Sequence, residues 1–302
     1  MKNKSLTLLL ILTSVVVNAQ KEDYTWLFGY NYNTITNNAE EIRFSFQDSI
    51  NISFRQRRMS LHTTNAVLSD SAGALLLYSN GCYIANKYDT FIENSDGLNP
   101  GYLYNDNCVE DSIGYSTNQA AMFLPHPTNR SLKYLFHVGT YFSINPFIAF
   151  DDKFYYSVVD ISYNGGAGKV ISKNNIIVQD TFDNDGFHAV RHANGRDWWI
   201  VIPKLLSNKY FISLFSPQGV ITHVQEIGFP TESQAGGELV FSPNGSKMAR
   251  FNTRDDLRVF DFDRCTGALS NSIHIPIADN ADDELFAGLS FSADEHYLYA
   301  AE

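Results

Sequence analysis

The chain has 302 residues, of which 14% are aromatic and 18% charged, and carries a formal net charge of −11 at pH 7. That balance argues against nucleic acid as a partner, because phosphate recognition calls for clustered Lys and Arg. The one dense basic run, Arg55-Gln56-Arg57-Arg58, reads as a solvated strand edge.

The chain begins with Lys2 and Lys4, followed by an apolar run from Leu6 to Val17 and then Val17-Asn18-Ala19. A basic start, an apolar stretch and small residues at the cleavage positions predict a signal peptide over 1–19, cut before Gln20. Removing Lys2 and Lys4 leaves a mature charge of −13. The run falls short of the ~20 apolar residues of an ordinary spanning helix. No membrane span is expected after cleavage, and no Cys follows the cut to take a lipid. The expected location is secreted or cell-surface.

Across the chain, the 22 Phe and 17 Tyr against 4 Met favour strands. Short apolar runs alternate with Asn, Asp, Gly and Ser clusters. In chain order they are Ile42–Phe46, Ile50–Phe54, Ala74–Tyr78, Tyr134–His137, Phe154–Val159, Trp198–Ile202, Tyr210–Phe215 and Leu257–Phe262. Many short strands with turn signals between them predict an all-β sandwich, barrel or propeller.

Three Cys in an exported chain allow one internal disulfide. Three pairings are open. Cys82 with Cys108 is favoured because both lie in one loop-rich region, which leaves Cys265 as a small buried residue. Residues Tyr88–Ser116, rich in Asn, Asp and Gly, read as a long recognition loop. Asp151-Asp152, Asp255-Asp256 and Asp282-Asp283-Glu284 read as solvated turns. Gly165-Gly-Ala-Gly-Lys169 lacks the first Gly and the final Ser or Thr of a phosphate loop, and reads as a hairpin turn. Asp183-Asn-Asp-Gly186 resembles the middle of a calcium loop, but Thr181 and His192 stand where Asp and Glu are needed, so a plain turn is expected.

His188, Arg191, His192, Arg196 and Asp197, beside Trp198 and Trp199, form the densest polar-aromatic cluster and are the candidate ligand-binding residues. His supplies acid-base capacity near neutral pH and Arg pairs with carboxylates. The competing reading is structural: the Trp pair packs between sheets and Arg196–Asp197 satisfies a turn. No Gly-x-Ser-x-Gly elbow and no His-Glu-x-x-His helix is present, and His126 and His137 have no third ligand in evident spacing. No catalytic residue, cofactor or metal is therefore assigned.

Internal repetition selects the fold. Val190–Ile200, Val240–Arg250 and Ser290–Ala300 align without gaps at a spacing of 50 residues, each reading strand, tight turn, strand. Asn194, Asn244 and Asp294 share a turn position assigned to residues that tolerate positive φ. Looser copies start at Asn65 and Ala121, giving about five blade starts. A period of this size fits one four-stranded propeller blade. The predicted domain is a β-propeller over 20–302. The last repeat stops inside its second strand, which carries the expectation that the natural protein continues beyond Glu302.

Phe241-Ser-Pro-Asn-Gly-Ser-Lys-Met-Ala249 resembles the strand-turn-strand of WD40-like and YVTN-type propellers, and Leu257-Arg-Val-Phe-Asp261 resembles their later strand. The Gly-His element of true WD40 repeats is missing. A narrower resemblance rests on Tyr78-Ser-Asn-Gly-Cys82, Asp96-Gly-Leu-Asn-Pro-Gly101, Ala189–Trp199 and Val259–Gly267. These are similar to large exported proteins of bacteria that use the type IX secretion system, in which a propeller precedes a C-terminal sorting domain. No sorting domain is found in this sequence. The resemblance implies fold and location, with no particular activity. The functional expectation is a non-enzymatic binding or scaffold module for a protein, glycan or cell-envelope partner. The alternative is a secreted propeller hydrolase, lactonase-like, with its site at the channel mouth; a purely structural part of an adhesin is a third reading.

Overall fold

The computed structural model describes residues 21–29, 41–55, 57, 59–61, 63–184, 186–277 and 287–301. The signal segment and Asp282-Asp283-Glu284 lie outside the described residues.

The described chain folds into antiparallel sheets, each a meander whose strands follow sequence order. The first sheet holds β1 (Thr25–Phe28), β2 (Glu41–Phe46) and β3 (Ile50–Arg55). The second holds β4 (Ala66–Ser69), β5 (Leu75–Ser79) and β6 (Ile84–Asn86). The third holds β7 (Ala121–Pro125), β8 (Leu132–Ile144), β9 (Phe147–Asp160) and β10 (Lys169–Phe182). The fourth holds β11 (His188–Arg191), β12 (Trp198–Pro203), β13 (Lys209–Ser216) and β14 (Gly219–Glu226). The fifth holds β15 (Gly237–Phe241), β16 (Lys247–Asn252), β17 (Asp256–Asp263) and β18 (Ala268–Ile275), and the sixth holds β19 (Gly288–Phe291) and β20 (Leu298–Ala301).

The first strand of one sheet stands beside the first strand of the next, β1 by β4, β4 by β7, β11 by β15 and β15 by β19. The third and fourth sheets share a core of Phe136, Phe182, Phe211 and Phe215. Face-to-face meanders in sequence order make an all-β, WD40-like propeller. The five repeat starts read from the sequence fall on β4, β7, β11, β15 and β19, and the sheet β1–β3 precedes them. Middle strands are apolar on both faces because a sheet lies on either side. The Trp198–Pro203 strand is buried at five successive positions, whereas the outer strand Gly219–Glu226 is largely exposed. In the first sheet, Trp26, Phe28, Ile52 and Phe54 leave large apolar side chains exposed on one face.

The repeated turns work differently from the sequence expectation. Positive φ falls one residue later, at Gly195 (71°), Gly245 (74°) and Glu295 (62°). Asn194, Asn244 and Asp294 instead accept the backbone N–H two residues on, at 2.9, 2.6 and 3.2 Å. This side-chain turn supplies the bond that a sharp reversal leaves unmade.

Other expectations are corrected by burial. Arg57 is not a solvated edge residue: it is buried, paired with Asp89 and stacked on Tyr78. Cys265 is exposed rather than buried. His126 sits in a turn and accepts the Thr128 and Asn129 amides, while His137 is buried between Asn99 and Ser157, so the two do not converge. Residues 88–116 contain a short helix, α1 (Tyr102–Tyr104), running into a wider turn over Asn105–Glu110. Cys82 and Cys108 are disulfide-bonded with Cα atoms 5.5 Å apart, tying that turn to the second sheet.

Candidate functional site

The cluster that stood out in the sequence is divided by the fold. His188 on β11 sets its ring 6.0 Å from Phe241 of the fifth sheet, with Nδ1 3.1 Å from the Ala189 carbonyl, and burial pushes its pKa down to about 4. Arg191 lies 3.7 Å over the Trp198 ring and donates to the Arg196 carbonyl. His192 stacks on Trp199, and its Nδ1 accepts the Asn194 amide. Arg196 grips Asp197 with two bonds of 2.7 and 2.9 Å, which holds the Asp197 carboxyl below its usual range. Trp199 packs against Phe262 of the fifth sheet and donates its indole N–H to the Arg264 carbonyl at 2.9 Å. These residues build a turn and a seam between sheets, and none of them lines the pocket of the third sheet.

A cavity lies on the third sheet, where β8 and β9 run for 13 and 14 residues. The pair therefore extends well past its neighbours as an arm with Asn145-Pro146 at its tip. Tyr141, Ile144, Phe147 and Ile148 on this arm are exposed. Tyr102 of α1 stacks on Phe142 at 5.0 Å, and Phe147 meets Phe142 edge-on at 5.5 Å. Beneath this aromatic wall is a pocket of about 420 Å³. Thr117, Asn118, Thr140, Asp151, Asn184 and Gln234 give it hydroxyls, amides and a carboxyl.

Asp151 is the residue that sequence reasoning misplaced. It was read with Asp152 as a solvated turn, yet it lies within β9 and is only 1% exposed. The cause is a bulge: Gly139 pairs with Lys153 but Thr140 pairs with Asp151, so Asp152 is the extra residue. Bulges re-aim side chains in this way. The Thr140 hydroxyl donates to Asp151 Oδ1 at 2.6 Å, and the Thr117 and Thr140 hydroxyls are 3.0 Å apart. Among the described residues, Oδ2 is buried without a hydrogen-bond partner. Burial pushes the Asp151 carboxyl up to about 7, against the opposing pull of the Thr140 bond. No local motif announces such a position; the only hint was a pair of acids inside an otherwise aromatic run.

Asp183, read from sequence as part of a plain turn, is also buried. It receives Arg250 at 2.6 Å, and both side chains are almost fully enclosed. Between sheets, Glu238 of β15 accepts from the Gln119 amide at 2.8 Å and from the Leu289 backbone N–H at 2.5 Å. No group of three or more potential metal ligands occurs among the described residues.

No family model matches the chain, and no curated protein does. Among solved structures, the chain is similar to a provisionally named 6-phosphogluconolactonase of Bacteroides uniformis, 13% identical, covering 92% of this chain and 88% of that one with a TM-score of 0.41. A protein of unknown function from Desulfotomaculum acetoxidans is 13% identical over 86% of this chain and 71% of that one, with a TM-score of 0.44. The Cps50 (Swd1) β-propeller domain of Myceliophteria thermophila is 11% identical over 87% of this chain and 73% of that one, with a TM-score of 0.40. At these identities the likeness says nothing of activity, and the site rests on its own geometry.

Proposed function

We propose that this chain is an exported, cell-surface propeller of the type IX secretion kind that binds its partner rather than transforming it. Of the protein, glycan and cell-envelope partners considered, an envelope glycan fits best. The observation that carries this reading is the β8–β9 arm, which sets exposed aromatic rings beside a pocket of hydroxyls and amides. Sugars offer an apolar face for such rings and hydroxyls for such polar groups. Export is supported by the signal-like residues 1–19.

Co-sedimentation with purified peptidoglycan sacculi tests this reading, with protein-only envelope extracts in parallel. The triple variant Tyr141→Ser, Ile144→Ser, Phe147→Ser should lose at least about tenfold in affinity while keeping its thermal stability, because all three side chains are exposed. Undiminished sedimentation of the variant, or none by the unmodified chain, would end the glycan reading. Capture of protein extracts alone would move it to a protein partner.

The hydrolase reading is favoured by one observation, a carboxyl buried in the pocket wall at Asp151; that burial pushes it up to about 7, where an acid-base group works best. Turnover of a simple lactone that disappears in Asp151→Asn would establish it.

A further inference from the structure

The pocket has a charge character that its occupant must match. Asp151 Oδ1 takes the Thr140 hydroxyl proton, so the Thr140 oxygen receives the Thr117 hydroxyl. The remaining lone pairs of Thr117, which lines the pocket, are then acceptors. Asp151 Oδ2 is buried and meets no donor among the described residues.

The charged and titratable groups around Asp151 do not compensate it. Asp152, beside it on β9, is paired with Lys153. Asp183, following β10, is paired with Arg250 of β16. The Tyr115 hydroxyl accepts the Thr140 backbone N–H at 2.8 Å and is not a donor to either Asp151 oxygen among the described residues. Asp152 and Asp183 both push the Asp151 carboxyl upward. A buried carboxylate without a counter-ion is costly, and a cation offsets that cost better than a neutral hydroxyl. The rings of Phe142 and Phe147 in the same wall add attraction for a cation.

We propose that this pocket is a subsite for a protonated primary amine, paired with Asp151 and the Thr117 and Thr140 hydroxyls, with its carbon skeleton against Phe142 and Phe147. The proposal rests on the reading of this face as the recognition face. An amino sugar and a lysine side chain present the same ammonium, and the test separates them.

The test is calorimetric titration of the purified chain with four probes: D-glucosamine, N-acetyl-D-glucosamine, Nα-acetyl-lysine methylamide and the Nε-acetylated form of the last. At least one free amine should bind at least about tenfold more tightly than its acetylated counterpart, as a lost charge-assisted bond in a buried site implies. Whichever amine binds names the source. Below neutral pH the incoming ammonium must displace the Asp151 proton, so affinity should rise about tenfold per pH unit toward pH 7, with proton release that vanishes above it. Asp151→Asn should abolish the discrimination and the proton release while the chain stays folded by circular dichroism.

Equal binding of acetylated and free probes overturns the proposal, as does affinity that rises toward acid. So does the absence of binding by all four probes at tens of millimolar. If the amine preference fails while the arm variant still loses sacculi, the recognition face stands and the amine subsite falls. If the preference holds while the arm variant still sediments, the subsite stands without the arm.

Discussion

The fourth and fifth sheets and the third sheet solve the same packing problem in different ways. In the fourth and fifth, strands are 4–8 residues long and the first turns share two backbone bonds and one Asn side-chain bond, with Gly195 and Gly245 in matching conformations. In the third, two strands of 13 and 14 residues overrun the fold and a bulge turns Asp151 inward. The regular fourth and fifth sheets hold the scaffold, and the third sheet, with its overlong strands, holds the pocket. Loops and extensions on a rigid frame are where binding groups concentrate.

The scaffold side of this contrast breaks most visibly at Trp199. Its ring fills the seam against Phe262 and leaves no room for a Cβ at Gly267. Trp199→Ala should cost about 3–5 kcal/mol in denaturant unfolding. A loss under ~1 kcal/mol would show that the seam is not a close-packed joint.

The pocket side should respond with the opposite sign. Asp151 has a native pKa raised to about 7. Between the unfolded value and about 7 the native state binds the extra proton, so this residue's contribution to stability falls as pH rises through that window. Asp151→Asn should therefore raise stability at pH 8 by up to about 4 kcal/mol, with a smaller gain at pH 5. His137, pushed down to about 3 by burial, gives the reverse slope, losing stability as pH falls below about 6.5. A gain for Asp151→Asn that does not change with pH would mean that Asp151 is not the titrating group.

Two smaller effects sharpen the comparison. Opening the disulfide with Cys82→Ala and Cys108→Ala together should cost about 3 kcal/mol, since the bond closes a loop of 26 residues in the unfolded chain. Retained sacculi binding in that variant would separate the loop from the pocket. Gly195→Ala should cost about 1 kcal/mol, the penalty of a left-handed turn with open space around it. Gly245→Ala should cost more, because its new Cβ meets Val190 at 2.4 Å and Arg264 at 2.8 Å. Equal losses would imply that the two turns are less tightly seated than their repetition indicates.

The legible part of the sequence was what repeats. Each apolar run read as a strand overlaps one, and the 50-residue period falls on first strands of successive sheets. The turn chemistry was assigned to the right segment but the wrong residue, because Asn tolerates positive φ and also forms a side-chain turn, and composition does not separate the two. The pocket was illegible for a different reason. Asp151 owes its burial to a register shift between strands, and register is a property of two segments that neither encodes alone. The His188–Asp197 cluster was legible but drew attention to a turn, since density of polar residues marks reversals as readily as sites.

The Glu238 bridge has a consequence for motion. Its carboxyl joins Gln119, which precedes the third sheet, to Leu289 in the sixth, while Gln119 Oε1 accepts the Leu239 amide of the fifth. The Leu239 and Leu289 amides are thus guarded by side chains that reach across sheets rather than by strand ladders alone. Glu238 and Leu239 are neighbours on β15, so opening of the fifth sheet alone would free both amides to exchange with deuterated solvent. Their exchange should follow one shared opening, so two protons in different sheets report on the stability of the fifth.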